Sequence, residues 1–262
     1  MDFHKLVMTG EGVEHLDENI LDLDSEFRFK CRRCGKCCVH QHTILLTVRD
    51  LYNIAKKQGR PIKDVICDYT EIYIGQNSRL PVVHLLSNGK NDSCPLLVDG
   101  RCSVHDCKPA VCALYPLGRV IKYHYDEESG ARKESTVHYI INDVTCGSAK
   151  RVNTVRSWLA RSGIQEHDDF YLLWNETTAE LCQAVREMEK AGVKEDYMKG
   201  VWNTIIMNLY LDYSIEKELM PQFERASRRL MRFCQLLKKF LAHDLRMVDI
   251  KELEGLFPSM VA

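Results

Sequence analysis

Residues 31–38 read CRRCGKCC, four thiols in eight positions. Cys31, Cys34 and Cys37 have the C-x2-C-x2-C spacing that one compact half of a bacterial-type iron–sulfur ligand set uses. A tight backbone turn with this repeat can wrap a cubane, each third residue presenting sulfur to a different iron. Gly35 inside the turn permits backbone geometry that a side chain obstructs. Such a site wants a fourth, distant thiolate. In the ferredoxin run that residue precedes proline, and Cys94-Pro95 offers the same pairing. Lys30, Arg32, Arg33 and Lys36 place positive charge around the thiolates. There they offset the charge of a four-thiolate site and lower the thiol pKa values, with a solvated basic surface as the competing reading.

Working outward, CPLLVDGRCSVHDCKPAVCALYPLG supplies Cys94, Cys102, Cys107 and Cys112, and Cys146 follows in VTCGS. Zinc competes for these thiols, because all-cysteine tetrahedral sites are common and CxxC pairs are their usual grip. Neither Cys102/Cys107 nor Cys107/Cys112 is such a pair. The triple at Cys31, Cys34 and Cys37 tilts the first site toward a [4Fe–4S] cluster, with zinc the alternative; the second group is not tilted either way. Cys107 is constrained by Pro109 just beyond it and is expected to ligate or to touch the ligands. The candidate metal ligands are therefore Cys31, Cys34, Cys37, Cys38, Cys94, Cys102, Cys107, Cys112 and Cys146.

Together these motifs resemble the CxxCxxCC family of zinc- or iron-chelating domains. That family's pattern is CxxCGxCC, then Cys-Pro with an apolar pair, Cys-x-Ile-Tyr, Arg-Pro-x-x-Cys and an aromatic-Pro. The chain matches at Cys31, Cys34, Gly35, Cys37, Cys38, Cys94, Pro95, Cys102, Pro109, Cys112, Tyr115 and Pro116. Cys146, before Gly147, resembles a late cysteine of longer members. The chain departs at His105, where Tyr is usual, at Lys108 in place of Arg, and at the additional Cys107. The resemblance spans about residues 28–150. Some members are linked to flagellin lysine N-methylation, so it implies a role in protein modification and a protein substrate.

The rest of the sequence frames this region. A 45% hydrophobic content in 262 residues can bury a core without disulfide staples. A formal net charge of −1 gives no overall field for nucleic acid. No run of about 18 apolar residues suggests a membrane span, and MDFHKLVMTGEGVEHLDEN lacks the features of a signal peptide. The expectation is a cytoplasmic protein, where thiols serve as ligands rather than disulfides.

The sequence predicts an α+β fold in three parts: an acidic, loosely structured lead-in over 1–29, a cysteine-cluster domain over 30–151, and a helical region over 152–262. Within the second part HTILLT and PVVHLL read as strands, VRDLYNIAKKQ as a helix stopped by Gly59, and 64–73 as another helix. Segments 119–125 and 136–141 read as a hairpin around DEESG. In the third, Leu181, Val185 and Met188 share a helical face. So do Trp202, Ile205, Ile206, Leu209 and Tyr213, and so do Leu230, Phe233, Cys234, Leu237 and Leu241.

Other candidates carry a plainer reading beside the functional one. His40 and His42 flank Gln41 and can ligate or relay protons, though surface histidines are commoner. Cys67, Cys182 and Cys234 sit among apolar neighbours and read as buried structural thiols. Arg225, Arg228, Arg229 and Arg232 form a basic face suited to phosphate, RNA or an acidic partner, with a solvated face the leading reading. GEGVEH over 10–15 lacks the third glycine of a dinucleotide loop. The function expected is that of an iron–sulfur or metal-binding protein. The alternatives are a zinc-stabilised, partner-binding module and a metal carrier or store.

Overall fold

The computed structural model describes residues 20–40, 44–87, 92–122, 124, 135–142, 144 and 146–242. The chain is α+β, and it divides into two compact units, each built from two stretches of chain. The first comprises 1–44 and 85–167, the second 45–84 and 168–262.

The first unit starts with β1 (Ile20–Leu21) and β2 (Glu26–Lys30). Residues 26–29 of β2 fall within the expected loose lead-in over 1–29, where the structure has a strand. Phe27 and Phe29 alternate with charged neighbours, which is the period of a strand with one buried face. β2 pairs antiparallel with β10 (Ser148–Thr154), and β1 pairs with β9 (Thr136–Ile141). β9 in turn pairs with β8 (Leu117–Lys122), Leu117 opposite Ile141 and Lys122 opposite Thr136, as the hairpin reading expects. The DEESG turn lies outside the described residues.

Phe27, Phe29, Leu114, Leu117, Tyr139, Val155, Trp158 and Leu159 make this unit's core. Trp158, on α4 (Val155–Ser162), receives Phe27 and Phe29 edge-on at 5.7 and 5.6 Å. Such aromatic pairs contribute about 0.5–1.5 kcal/mol each beyond their buried area. The Trp158 indole N–H donates to the Leu114 carbonyl at 2.9 Å. That bond satisfies an orphan carbonyl at the end of α3 (Ala110–Leu114).

In the second unit β3 (Leu45–Leu46), β5 (Pro81–Leu85) and β4 (Thr70–Ile74) form a sheet in the order β3-β5-β4. α1 (Val48–Gln58) opens on a capping box: the Thr47 N–H donates to Asp50 Oδ2 at 2.8 Å, and Thr47 Oγ1 accepts from the Asp50 N–H at 3.3 Å. It stops at Gly59 as expected. α2 (Ile62–Tyr69) is shorter than the 64–73 reading implies, because β-branched residues from Thr70 onward enter β4.

The long helices are α5 (Asp169–Lys190), α6 (Glu195–Ile206), which runs into a π-helical turn at Met207–Leu211, and α7 (Leu219–Ala242). Leu181, Val185, Met188, Ile205, Leu209, Leu230, Phe233, Cys234 and Leu237 are buried, as their spacing predicts. Phe170, Trp174, Tyr210 and Phe223 interlock, Phe170 and Phe223 at 4.9 Å. A bidentate ion pair ties the two stretches of this unit together: Arg49 donates to both Asp168 carboxylate oxygens at 2.7 and 2.8 Å. Its guanidinium also lies over the Phe170 ring, 4.5 Å from the centroid. Among the described residues no helix is long and apolar enough to cross a membrane.

Candidate metal centre

After β2 the chain leaves regular structure over residues 31–34 and turns at Gly35 into a short 3-10 segment, Lys36–Cys38. Gly35 has φ +72°, a left-handed conformation that a side chain rarely adopts, and a Cβ there would meet only the Gly100 carbonyl, at 3.7 Å. Backbone conformation is thus the reason for glycine at this point. The Cys38 N–H donates to the Gly35 carbonyl at 2.8 Å, and the Arg33 N–H to Cys31 Sγ at 3.4 Å.

Main-chain bonds join this segment to the second cysteine group. The Cys94 N–H donates to the Cys38 carbonyl at 2.8 Å and the His40 N–H to the Asp92 carbonyl at 2.7 Å, while Val39 bridges Ser93. The Leu97 N–H closes a turn on the Cys94 carbonyl at 3.0 Å. It leads into the small ladder of β6 (Leu97–Val98) and β7 (Arg101–Cys102), which sets Leu97 opposite Cys102. Ser103 donates to the Leu96 carbonyl from both its N–H and its hydroxyl, at 2.8 and 2.9 Å. Leu96 and Val104 are buried beneath the turn. Cys112 rides on α3, which the core holds through Ala113 and Leu114.

Cys146 lies just before β10. It packs against the aromatic core, and its sulfur lies 3.7 Å from the Tyr115 hydroxyl. Gly147 beside it has φ +81°, and a Cβ there would fall 2.3 Å from Phe29 Cε2. Only glycine lets the chain pass this ring.

The charges on these sulfurs reveal which thiols are neighbours. Cys38 is held below the ordinary thiol range, first because it accepts a hydrogen bond from Cys37; burial and the charges of Cys94, Cys112 and Cys102 oppose this. Cys37 is pushed up, first by the same bond and then by burial, while Lys108 pulls it down. Burial raises Cys94, and Cys102 and Cys37 add to the effect. Burial also raises Cys146, against the Tyr115 hydrogen bond, with Cys37, Cys34 and Cys31 adding repulsion. The first motif therefore faces two groups of thiols: Cys31 and Cys34 act on Cys146, Cys38 is acted on by Cys94, Cys102 and Cys112, and Cys37 is common to both, acting on Cys146 and Cys94 and bonded to Cys38.

Cys31 and Cys34 are exposed, and Cys37, Cys38, Cys94, Cys102, Cys107, Cys112 and Cys146 are half-buried. Among the described residues no three Cys, His, Asp or Glu side chains stand at the spacing of a closed metal site. The donor chemistry nonetheless fits: sulfur alone, from residues the backbone brings into one unit, suits zinc, iron or an iron–sulfur cluster. Cys107 sits in the turn before α3, its N–H donating to the Val104 carbonyl at 3.0 Å.

The remaining candidates fall elsewhere. His40 is exposed and its ring pairs with Asp92 at 3.2 Å, and His42 lies outside the described residues. His105 is exposed on the turn before Cys107. Cys182 and Cys234 are buried in the second unit, as read; Cys67 is exposed on α2, against that reading. Its neighbours Val65 and Ile66 take the buried face of α2, leaving position 67 on the outer one. Two residues with no ligand signal in the sequence emerge here: Lys108 as the cation acting on Cys37, and Tyr115 as the hydroxyl beside Cys146.

No curated protein and no solved structure matches the chain. The family model CxxCxxCC, described as "Putative zinc- or iron-chelating domain", matches residues 30–147. That match covers every cysteine of the constellation, so residues 30–147 are similar to the domain that the CxxCxxCC family model describes.

Proposed function

We propose that this domain holds a [4Fe–4S] cluster on Cys31, Cys34, Cys37 and Cys146, and a second zinc or iron site on Cys38, Cys94, Cys102 and Cys112. The observation that carries the reading is that two groups of thiols meet the first motif: the Cys94 main chain is bonded to Cys38, while Cys146, beside Tyr115, feels Cys31, Cys34 and Cys37. The C-x2-C-x2-C triple favours the cluster. Its fourth ligand is Cys146, in place of the Cys94 that the Cys-Pro pairing suggests, because Cys94 is bonded to the Cys38 main chain and of the triple feels only Cys37, whereas Cys146 feels all three. Cys107 then stands beside the second set as a ninth thiol. Bound there, the cluster would supply one-electron chemistry and a zinc ion structural closure. The chain's own part is to hold the thiolates, with Tyr115 directed at Cys146 and Lys108 offsetting charge at Cys37. A cytoplasmic setting keeps such thiols reduced. The resemblance to members linked with lysine N-methylation makes a protein substrate the partner to test.

Metal and acid-labile sulfide analysis of anaerobically purified protein tests the assignment. The expected result is about four iron and four sulfide per chain with a broad visible absorption band, plus a second metal. Cys34→Ser is expected to remove the colour and sulfide and to keep the second metal; Cys38→Ser should do the reverse. Cys107→Ala should keep both. Two zinc ions and no colour would establish the zinc-stabilised module instead, and a sub-stoichiometric, exchangeable metal would establish carriage or storage.

A further inference from the structure

A cavity of about 410 Å³ opens in the second unit, between the connection 211–218 and the first turns of α7. Its wall is mainly polar and carries Lys217, Arg225 and Arg229 against one carboxylate, Asp212. Arg229 donates to Asp212 at 2.6 Å, which fixes the guanidinium, and its Nε remains buried without an acceptor. Arg225 lies one turn before Arg229 on the same face, and neither Arg225 nor Lys217 has an ion-pair partner among the described residues. Like charges four apart on a helix repel, and α7 begins with no acidic side chain in its first turn. Glu218, just before it, lies 3.9 Å from Lys56.

The loop that carries Lys217 is held in place. Gln222 Oε1 accepts from the Ser214 N–H at 2.9 Å, and its amide donates to the carbonyls of Ser214, Lys217 and Glu218. The site is therefore an open depression whose loop wall is held in place and whose lining is cationic beyond its internal neutralisation.

We propose that this cavity binds a small hydrophilic ligand bearing a phosphate group. A volume of a few hundred Å³ is that of a small-molecule site, and a wall with little apolar surface does not favour an apolar ligand. Guanidinium forks match phosphate oxygens in pairs, and a lysine adds a point charge. Such a ligand neutralises Arg225 and Lys217. Of the basic face seen in the sequence, Arg225 and Arg229 belong to this site. Arg228 and Arg232 line a separate groove.

The test is calorimetric titration of the full chain with inorganic phosphate at constant ionic strength, with citrate as a carboxylate comparator. Saturable phosphate binding is expected, weakened about tenfold or more by Arg225→Ala and by Lys217→Ala, as loss of a charge-assisted hydrogen bond implies. Arg228→Ala should bind as the parent does. Arg225 is exposed, so its loss should leave the melting temperature unchanged. The proposal is overturned by no saturation, by unchanged binding in both Arg225→Ala and Lys217→Ala, by an equal loss in Arg228→Ala, or by citrate binding as tightly as phosphate.

Discussion

Nine of the twelve cysteines belong to the unit formed by 1–44 and 85–167, and none of those nine is fully buried. The other unit has Cys67 on its surface and Cys182 and Cys234 in its core. The same side chain is a small apolar filler in one setting and a candidate ligand in the other, and its neighbours decide which. Around Cys234, burial raises the thiol pKa to about 12, which keeps it protonated and inert. Around Cys38, another thiol donates a hydrogen bond and the pKa falls. The first unit's cysteine segment also has few regular hydrogen-bonded elements, only two-residue strands and a five-residue helix. The second is held by an interlocked aromatic core and long helices. On the proposed function, the first unit's cysteine segment draws on bound metal as well as on the Phe27–Phe29–Trp158 core, whereas the second unit rests on apolar packing.

The strongest way to break this contrast is to strip the metal. A chelator under reducing, anaerobic conditions is expected to cost the first unit about 5 kcal/mol or more, since site formation and folding are coupled. Trp158 reports that unit, and Trp174 and Trp202 the other. Replacing Trp158 by Phe in one protein and the other two in a second separates the signals. Equal destabilisation of both would refute separate modes of support.

Arg49→Ala strikes the second unit in the converse way. It leaves Asp168, whose side chain is 6% exposed, without its bidentate partner. A loss of about 3 kcal/mol is expected, with metal content unchanged. Metal lost from that variant in proportion to stability would tie the site to the helical unit.

Gly147→Ala sharpens the first unit's side of the comparison. Its Cβ would overlap Phe29 while the residue holds a left-handed φ. The expected cost is about 2–3 kcal/mol. Occupancy of the set containing Cys146 should fall more than that of the set containing Cys38, read by sulfide and metal analysis.

The smallest effects belong to the bystander thiols. Cys234→Ala should cost about 1 kcal/mol of packing and leave the metal in place. Cys67→Ser, on an exposed position, should stay within about 0.5 kcal/mol of the parent in a denaturant titration. Thiol labelling of the folded chain should reach Cys67 and spare Cys182 and Cys234.

Much of the architecture was legible from pattern alone. Helical periodicity marks the buried faces around Leu181, Ile205 and Leu230. Gly59 marks the end of α1, and the polar DEESG stretch between two apolar runs marks the β8–β9 hairpin. Where the reading slipped, a competing signal was present: the acidic composition of 1–29 masked the alternation of Phe27 and Phe29, and the apolar content around Cys67 hid that α2 turns that position outward. The match over 30–147 was legible too, because thiol spacing is a local property that a turn of backbone must satisfy.

What the sequence determined by itself is the kind of chemistry: soft sulfur donors, repeated at turn spacing, with glycine where the backbone must turn left-handed. Only the tertiary structure decided which thiols are neighbours. The Cys94 N–H bonds the Cys38 carbonyl, and Cys146 packs against the core that contains Phe29, more than a hundred residues before it in the chain. Likewise, residues 45–84 share a unit with 168–262 through contacts such as Arg49–Asp168 that no local pattern announces. The physical reason is the same in both cases. Periodicity reports which face of an element is buried, but the partner covering that face depends on how the whole chain closes.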